Sequence, residues 1–180
     1  MAKSSLRLLI ITLSIMLQAL FPSHSFSYPL STNNRWIVEE KTGQHVKLRC
    51  ANWPSHMNVM LAEGLHKQTI SNIVNQISSL GLNCIRLTWE TFMFTRYFDQ
   101  TISQSLDDLK LEGIKSGIMK YNPNFLSMTH PQAYAYVVNQ LSDANIMVVA
   151  DNHVSEPKWC CEDNEAMVSL GTQVLILMSG

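Results

Sequence analysis

The sequence predicts an α/β fold in which parallel strands alternate with helices. Three short apolar runs of strand length, residues 46–53, 83–89 and 146–150, are separated by stretches whose apolar residues have helical spacing. Strand, helix and strand at this spacing form a parallel pair with a right-handed crossover. Residues 31–42 are expected to add a short strand below them. No glycine-rich phosphate loop follows the first run, which argues against a nucleotide-binding fold.

The composition indicates one globular domain. The 180 residues are 46% hydrophobic and 15% charged, which is typical of a chain that builds a packed core. A net charge of -1 leaves no basic surface, so we expect no nucleic-acid partner. The adjacent cysteines Cys160 and Cys161 do not have the spacing of zinc ligands, and we expect neither a metal nor another cofactor.

Residues 1–27 have the layout of a secretory signal peptide. Lys3 and Arg7 precede an apolar run at residues 8–20, and small or polar residues follow it. The run of roughly 13 residues is shorter than the ~20 that span a bilayer, which disfavours the alternative of a membrane anchor. We therefore expect secretion, and no membrane association after cleavage.

Local signals predict three helices between and beside the strands. Thr69 can cap the first helix, and Gly81 ends it in the left-handed conformation that glycine adopts at little cost. A second helix is expected at residues 103–120. Pro131 lies where a helix accommodates proline in its first turn, which predicts a third helix at residues 131–144.

Arg86 is the anomaly of the second apolar run. A guanidinium inside a buried strand is costly unless a carboxylate or other acceptors satisfy its donors. Two interpretations remain open: a structural salt bridge, or an arginine whose fixed charge keeps a catalytic carboxylate ionised.

Polar and aromatic side chains collect where the predicted strands end. Asn52 and Trp53 end the first, Trp89 ends the second, and Asp151 and His153 follow the third. Because ligands bind at the carboxyl ends of the strands in α/β sheets and barrels, we expect the site at this edge.

Three motifs, at residues 83–89, 151–153 and 157–161, resemble the secreted plant branch of glycoside hydrolase family 5. Members of that family are (β/α)8 barrels of the TIM-barrel type, and the likeness corresponds to about the first three βα units. The resemblance implies that residues 28–167 are the N-terminal part of such a barrel. Residues 168–180 are expected to form a divergent apolar tail.

The resemblance also implies roles for individual residues. Arg86 matches a family arginine that supports the nucleophilic carboxylate, and His153 matches a histidine that contacts the sugar in the cleavage subsite. Alternatives stay open, since His153 can simply be hydrogen-bonded at a strand end and each tryptophan can pack rather than stack on sugar rings. The predicted substrate-binding and supporting residues are Arg86, His153, Asn52, Trp53, Trp89 and Trp159.

The catalytic residues of the family are not expected in this sequence. A retaining glycosidase needs an acid/base and a nucleophile, which in the family are glutamates at the ends of the fourth and seventh strands. Glu90, Asp151, Glu156 and Glu165 do not occupy those positions. We expect a partner that is a β-linked polysaccharide or oligosaccharide and no hydrolysis by this chain, with a non-catalytic carbohydrate-binding or interaction fragment as the alternative.

Three expectations concern the cysteines and the open edge of the sheet. Cys50 and Cys84 should lie at a similar height on neighbouring strands, where a disulfide is possible, but free buried thiols are the favoured expectation. In the full family, Cys160 and Cys161 are expected to find a partner further along. Residues 174–178 are expected to cover part of the open sheet edge as an extra strand.

Overall fold

The computed structural model describes residues 30–159 and 175–177. The predicted signal peptide, the Cys160–Cys161 pair and most of the predicted tail lie outside the described residues. Within them, no helix is long and apolar enough to cross a membrane.

The described part of the chain begins with a hairpin where a single strand was predicted. Strands β1 (Leu30–Asn33) and β2 (Trp36–Glu39) pair antiparallel. Asn34 adopts a left-handed conformation with φ 53°, which asparagine tolerates better than most residues and which allows the tight turn.

Three parallel strands form the central sheet, as predicted. Strands β3 (Cys50–Trp53), β4 (Cys84–Glu90) and β5 (Met147–Val154) lie in that order. A fourth strand, β6 (Leu175–Leu177), pairs antiparallel with β5 along Val148 to Ala150. The predicted edge strand in the tail is therefore confirmed.

The strand boundaries differ from the prediction at two places. β3 begins four residues later than expected, because the preceding segment bonds elsewhere: Val46 donates to Ile37 O at 2.8 Å and the Arg49 N–H donates to Asn83 Oδ1 at 2.7 Å. β5 continues through Asp151 and His153, which were expected to follow the strand.

The helices pack on one face of the sheet. They are α1 (Ile70–Ser79), α2 (Phe92–Thr95), α3 (Ile102–Asp108), α4 (Glu112–Tyr121) and α5 (His130–Asp143), with a 3₁₀ turn at Pro123–Ser127. The predicted cap is confirmed, since Thr69 Oγ1 accepts from the Asn72 N–H and Gly81 has φ 71°. The single helix predicted at residues 103–120 is wrong. Lys110 has φ 54°, which breaks that helix into α3 and α4.

The two faces of the sheet have separate cores. Ile85, Leu87 and Val148 face the helices and belong to the main core, where α5 contributes Val137 and Leu141. On the other face, a smaller cluster of Val46, Cys84 and Met147 is covered by Leu30 and Ile37 of the hairpin. The hairpin thus shields one face near the amino ends of the strands.

Cys50 and Cys84 form a disulfide, so the expectation of free buried thiols is wrong. The two residues are register partners in the β3–β4 ladder, and their Cα atoms lie 4.3 Å apart. The ladder therefore brings the two thiols together, although only Cys84 is buried and Cys50 is exposed.

Removal of this disulfide is expected to destabilise the protein. The bridge closes a loop of sequence separation 34, for which the chain-entropy model gives about 4 kcal/mol. We expect the Cys50→Ser/Cys84→Ser variant, made in a Cys160→Ser/Cys161→Ser background, to lose about that much in urea denaturation. Reductant should lower the stability of the background protein but not that of the variant. Two free thiols in the denatured, unreduced background protein would contradict the bridge.

Two glycines of α4 provide a matched pair of substitutions. A Cβ at Gly117 would lie 2.3 Å from the carbonyl oxygen of His66, whereas a Cβ at Gly113 meets nothing within 4 Å. We expect Gly117→Ala to cost about 1–3 kcal/mol, because α4 must move away from the backbone at His66. Gly113→Ala should be neutral or stabilising by up to about 1 kcal/mol. Thermal unfolding of both variants checks this, and equal stability would refute the close contact.

Candidate functional site

An ion pair joins β4 and β5 near their carboxyl ends. Arg86 Nη2 lies 2.7 Å from Asp151 Oδ2, and their side chains are 36% and 4% exposed. Arg86 lies two positions before the level of Asp151 in the ladder, because Thr88 is the register partner of Asp151. Asp151 is thus a carboxylate that satisfies Arg86, the partner that the sequence required but did not identify.

His153 joins this pair through one ring nitrogen. Its Nδ1 lies 3.0 Å from Asp151 Oδ2 and 3.2 Å from Arg86 Nη2. Because a guanidinium only donates and a carboxylate accepts, the shorter contact favours the tautomer in which Nδ1–H donates to Asp151. Nε2 then remains as an acceptor on a side chain that is 22% exposed. This geometry suits a histidine that accepts a hydrogen bond from a ligand hydroxyl.

His56 is a member of the site that sequence reasoning missed. It lies in the loop after β3, and its Nδ1 is 2.7 Å from Thr88 Oγ1. The ring centroids of His56 and His153 are 4.6 Å apart. The pKa of His56 is lowered to about 4, first by burial and then by His153 and Arg86, while Asp151 opposes them. The signal was available, since His56 follows the same strand end as the predicted Asn52 and Trp53.

Glu90, the last residue of β4, is completely buried. Neither carboxyl oxygen has a hydrogen-bond partner within the described part of the chain. Burial raises the pKa of Glu90 to about 8, so its carboxyl group is mostly protonated at pH 7.

Tyr134 lies near these carboxyl groups. Its hydroxyl donates to Leu87 O at 3.0 Å. Its pKa is raised by burial and then by Asp151 and Glu90.

The remaining predicted residues lie in different environments. Asn52 is exposed and is the register partner of Arg86. Trp53 is buried in the main core, and its Nε1–H donates to Glu63 O at 2.8 Å. The sugar-stacking interpretation of Trp53 therefore gives way to core packing. Trp89 is half-buried and packs edge-on against Phe94, whereas Trp159 is exposed.

The structure thus brings Arg86, His153 and Asn52 to one edge of the sheet. The three tryptophans lie in three different environments: buried, half-buried and exposed. Among residues 30–159, no three His, Cys, Asp or Glu side chains are arranged to hold a metal ion.

Comparison with known proteins relates this chain to one family. No family model matches it. A glycosyl hydrolase 5 family protein from Chamaecyparis obtusa is 47% identical over 162 residues, which is 89% of this chain and 28% of that protein. The chain is a partial homologue of a glycosyl hydrolase 5 family protein. The predicted resemblance to family 5 is therefore confirmed, and the chain spans only 28% of the length of that relative.

Solved structures also share part of the fold of this chain. The catalytic domain of the major endoglucanase from Xanthomonas campestris pv. campestris matches with a TM-score of 0.59 at 20% identity, over 74% of this chain and 35% of that one. An endocellulase from Pyrococcus horikoshii, in a complex with cellotetraose, matches with a TM-score of 0.52 at 21% identity, over 71% and 32%. At these identities the likeness shows a shared α/β fold.

The buried carboxyl group of Glu90 is expected to make stability depend on pH. Its pKa is 4.5 unfolded and about 8 folded, so the folded state holds the extra proton between these values. The contribution of this proton to the free energy of unfolding is complete below pH 4.5 and is lost as the pH rises to about 8. The total change is on the order of 5 kcal/mol.

Stability also depends on pH through His56 and His130, whose pKa values are lowered to about 4, mainly by burial. A comparison with Glu90→Gln isolates the effect of Glu90, because both proteins contain these histidines. We expect the stability of the native protein relative to the variant to fall steadily from pH 5 to pH 8 in urea denaturation. A constant difference across that range would refute the protonated state of Glu90.

Proposed function

We propose that this chain supplies the sugar-contacting strand edge of a family 5 glycosidase that acts on β-linked polysaccharides. The observation that carries the proposal is the Arg86–Asp151–His153 network at the carboxyl ends of parallel strands. The partial homology to a glycosyl hydrolase 5 family protein, and the fold shared with an endoglucanase and an endocellulase, favour this class of substrate.

Each residue of the network has a distinct chemical part in this proposal. Arg86 places a fixed positive charge at the edge, and its partly exposed guanidinium can bond a sugar hydroxyl or support a carboxylate from a neighbouring strand. His153 offers Nε2 as an acceptor to a sugar hydroxyl. The exposed amide of Asn52 can donate and accept on the same row as Arg86.

We further propose that the chain binds sugar without cleaving it. Retaining glycosidases use two carboxyl groups about 5–5.5 Å apart, one to attack and one to transfer the proton. Asp151 is already bonded to Arg86 and His153, and Glu90 is completely buried. Neither carboxyl group is placed to reach an anomeric carbon. In the proposed (β/α)8 barrel, both catalytic glutamates come from other strands.

Titration with cellotetraose and with mannotetraose, followed by calorimetry and by release of reducing ends, tests this function. We expect saturable binding of one of them and no hydrolysis. His153→Ala should weaken binding about 10-fold, the value of one hydrogen bond in a partly buried site. His45→Ala is the matched control, because His45 is an exposed histidine stacked on Trp36 of the hairpin.

The possible failures of this experiment are separable. Turnover by the purified protein would overturn the non-catalytic assignment but not the sugar site. A folded protein that binds neither oligosaccharide would overturn the sugar site itself. Equal losses in His153→Ala and His45→Ala would show that binding does not use the strand edge.

A further inference from the structure

We infer that His56 is a positioning residue that holds the ring of His153 in the orientation needed for sugar recognition. The inference rests on the proposed function, because it concerns the same strand edge. It assigns a role to a loop residue outside the Arg86–Asp151–His153 network.

His56 is anchored to β4 rather than to its own loop alone. Its Nδ1 lies 2.7 Å from Thr88 Oγ1, and the same hydroxyl oxygen accepts from the Ser55 N–H at 3.0 Å. Thr88 is itself buried and is the register partner of Asp151. The loop after β3 is therefore tied to the row of the sheet that carries the carboxylate of the site.

The ring of His153 is held by two kinds of contact. Its Nδ1 bonds Asp151 Oδ2 at 3.0 Å, which fixes one atom but leaves rotation of the ring about that bond. The ring of His56 packs beside it with centroids 4.6 Å apart and planes inclined by 56°. Because His56 blocks one side, the two contacts together fix the plane of His153 and the direction of Nε2.

A neutral ring at position 56 suits this role. The charged and titratable groups that face it are Arg86, Asp151 and His153. A second cation would meet the guanidinium of Arg86, while Asp151, the carboxylate that faces His56 within residues 30–159, is already engaged by Arg86 and His153. Burial keeps His56 uncharged at neutral pH.

His56 itself is poorly placed to contact a substrate. Its side chain belongs to a residue that is only 5% exposed, whereas the side chain of His153 is 22% exposed. A sugar would therefore meet His153 first, and His56 would act through it. This separates a positioning role from direct binding.

The test observes His153 directly and without sugar. Histidine-selective ¹⁵N labelling of the full chain at pH 7 reports which ring nitrogen of His153 carries the proton. In the native protein we expect mainly the Nδ1–H tautomer, and in His56→Ala a mixture of both tautomers. His56→Phe restores a ring at this position and should restore most of the native pattern. Thr88→Val removes the anchor and should shift the pattern in the direction of the Ala variant.

Binding of cellotetraose provides the second readout. Where the native protein binds, His56→Ala should weaken the affinity about 5- to 10-fold, a loss similar to that of one hydrogen bond, and His56→Phe should recover part of it. His45→Ala should change neither readout. A folded His56→Ala protein whose His153 signals match the native ones overturns the inference.

The two proposals fail in different ways. Absence of oligosaccharide binding by the native protein, with His153 still responding to substitution of His56, would refute the sugar site and leave the positioning role intact. Should His56→Ala not fold, a folded Thr88→Val protein with an unchanged affinity and an unchanged His153 pattern would overturn the positioning role.

Discussion

The ion pair between Arg86 and Asp151 is the interaction on which the rest of the site depends. Asp151 is almost fully buried, and a buried carboxylate is tolerated only with a partner that satisfies its charge. The same carboxylate oxygen receives His153. One buried carboxylate on β5 thus contacts both a cation on β4 and a histidine two residues further along.

The two ends of the sheet have different tasks. At the amino end, the Cys50–Cys84 bridge, the hairpin and the small apolar cluster hold β3 and β4 together. Asn52 and Arg86 lie two residues further along the same two strands. The pairing of Cys50 with Cys84 therefore also fixes the pairing of Asn52 with Arg86.

Burial determines which ionisable groups of the site are charged. Burial keeps His56 uncharged and the carboxyl group of Glu90 mostly protonated at pH 7, although one is a base and the other an acid. The strand edge therefore presents the Arg86–Asp151 pair and His153 rather than a set of competing charges.

The sequence by itself determined the features that depend on short-range signals. The cap at Thr69, the helix end at Gly81, the parallel strand order and the need of Arg86 for a carboxylate follow from neighbouring residues and periodicity. Only the tertiary structure decided that Asp151 is a partner of that arginine, that His56 packs on His153, and that Trp53 is buried. It also decided that Cys50 and Cys84 pair. These contacts depend on the register between strands distant in the sequence, which no local pattern encodes.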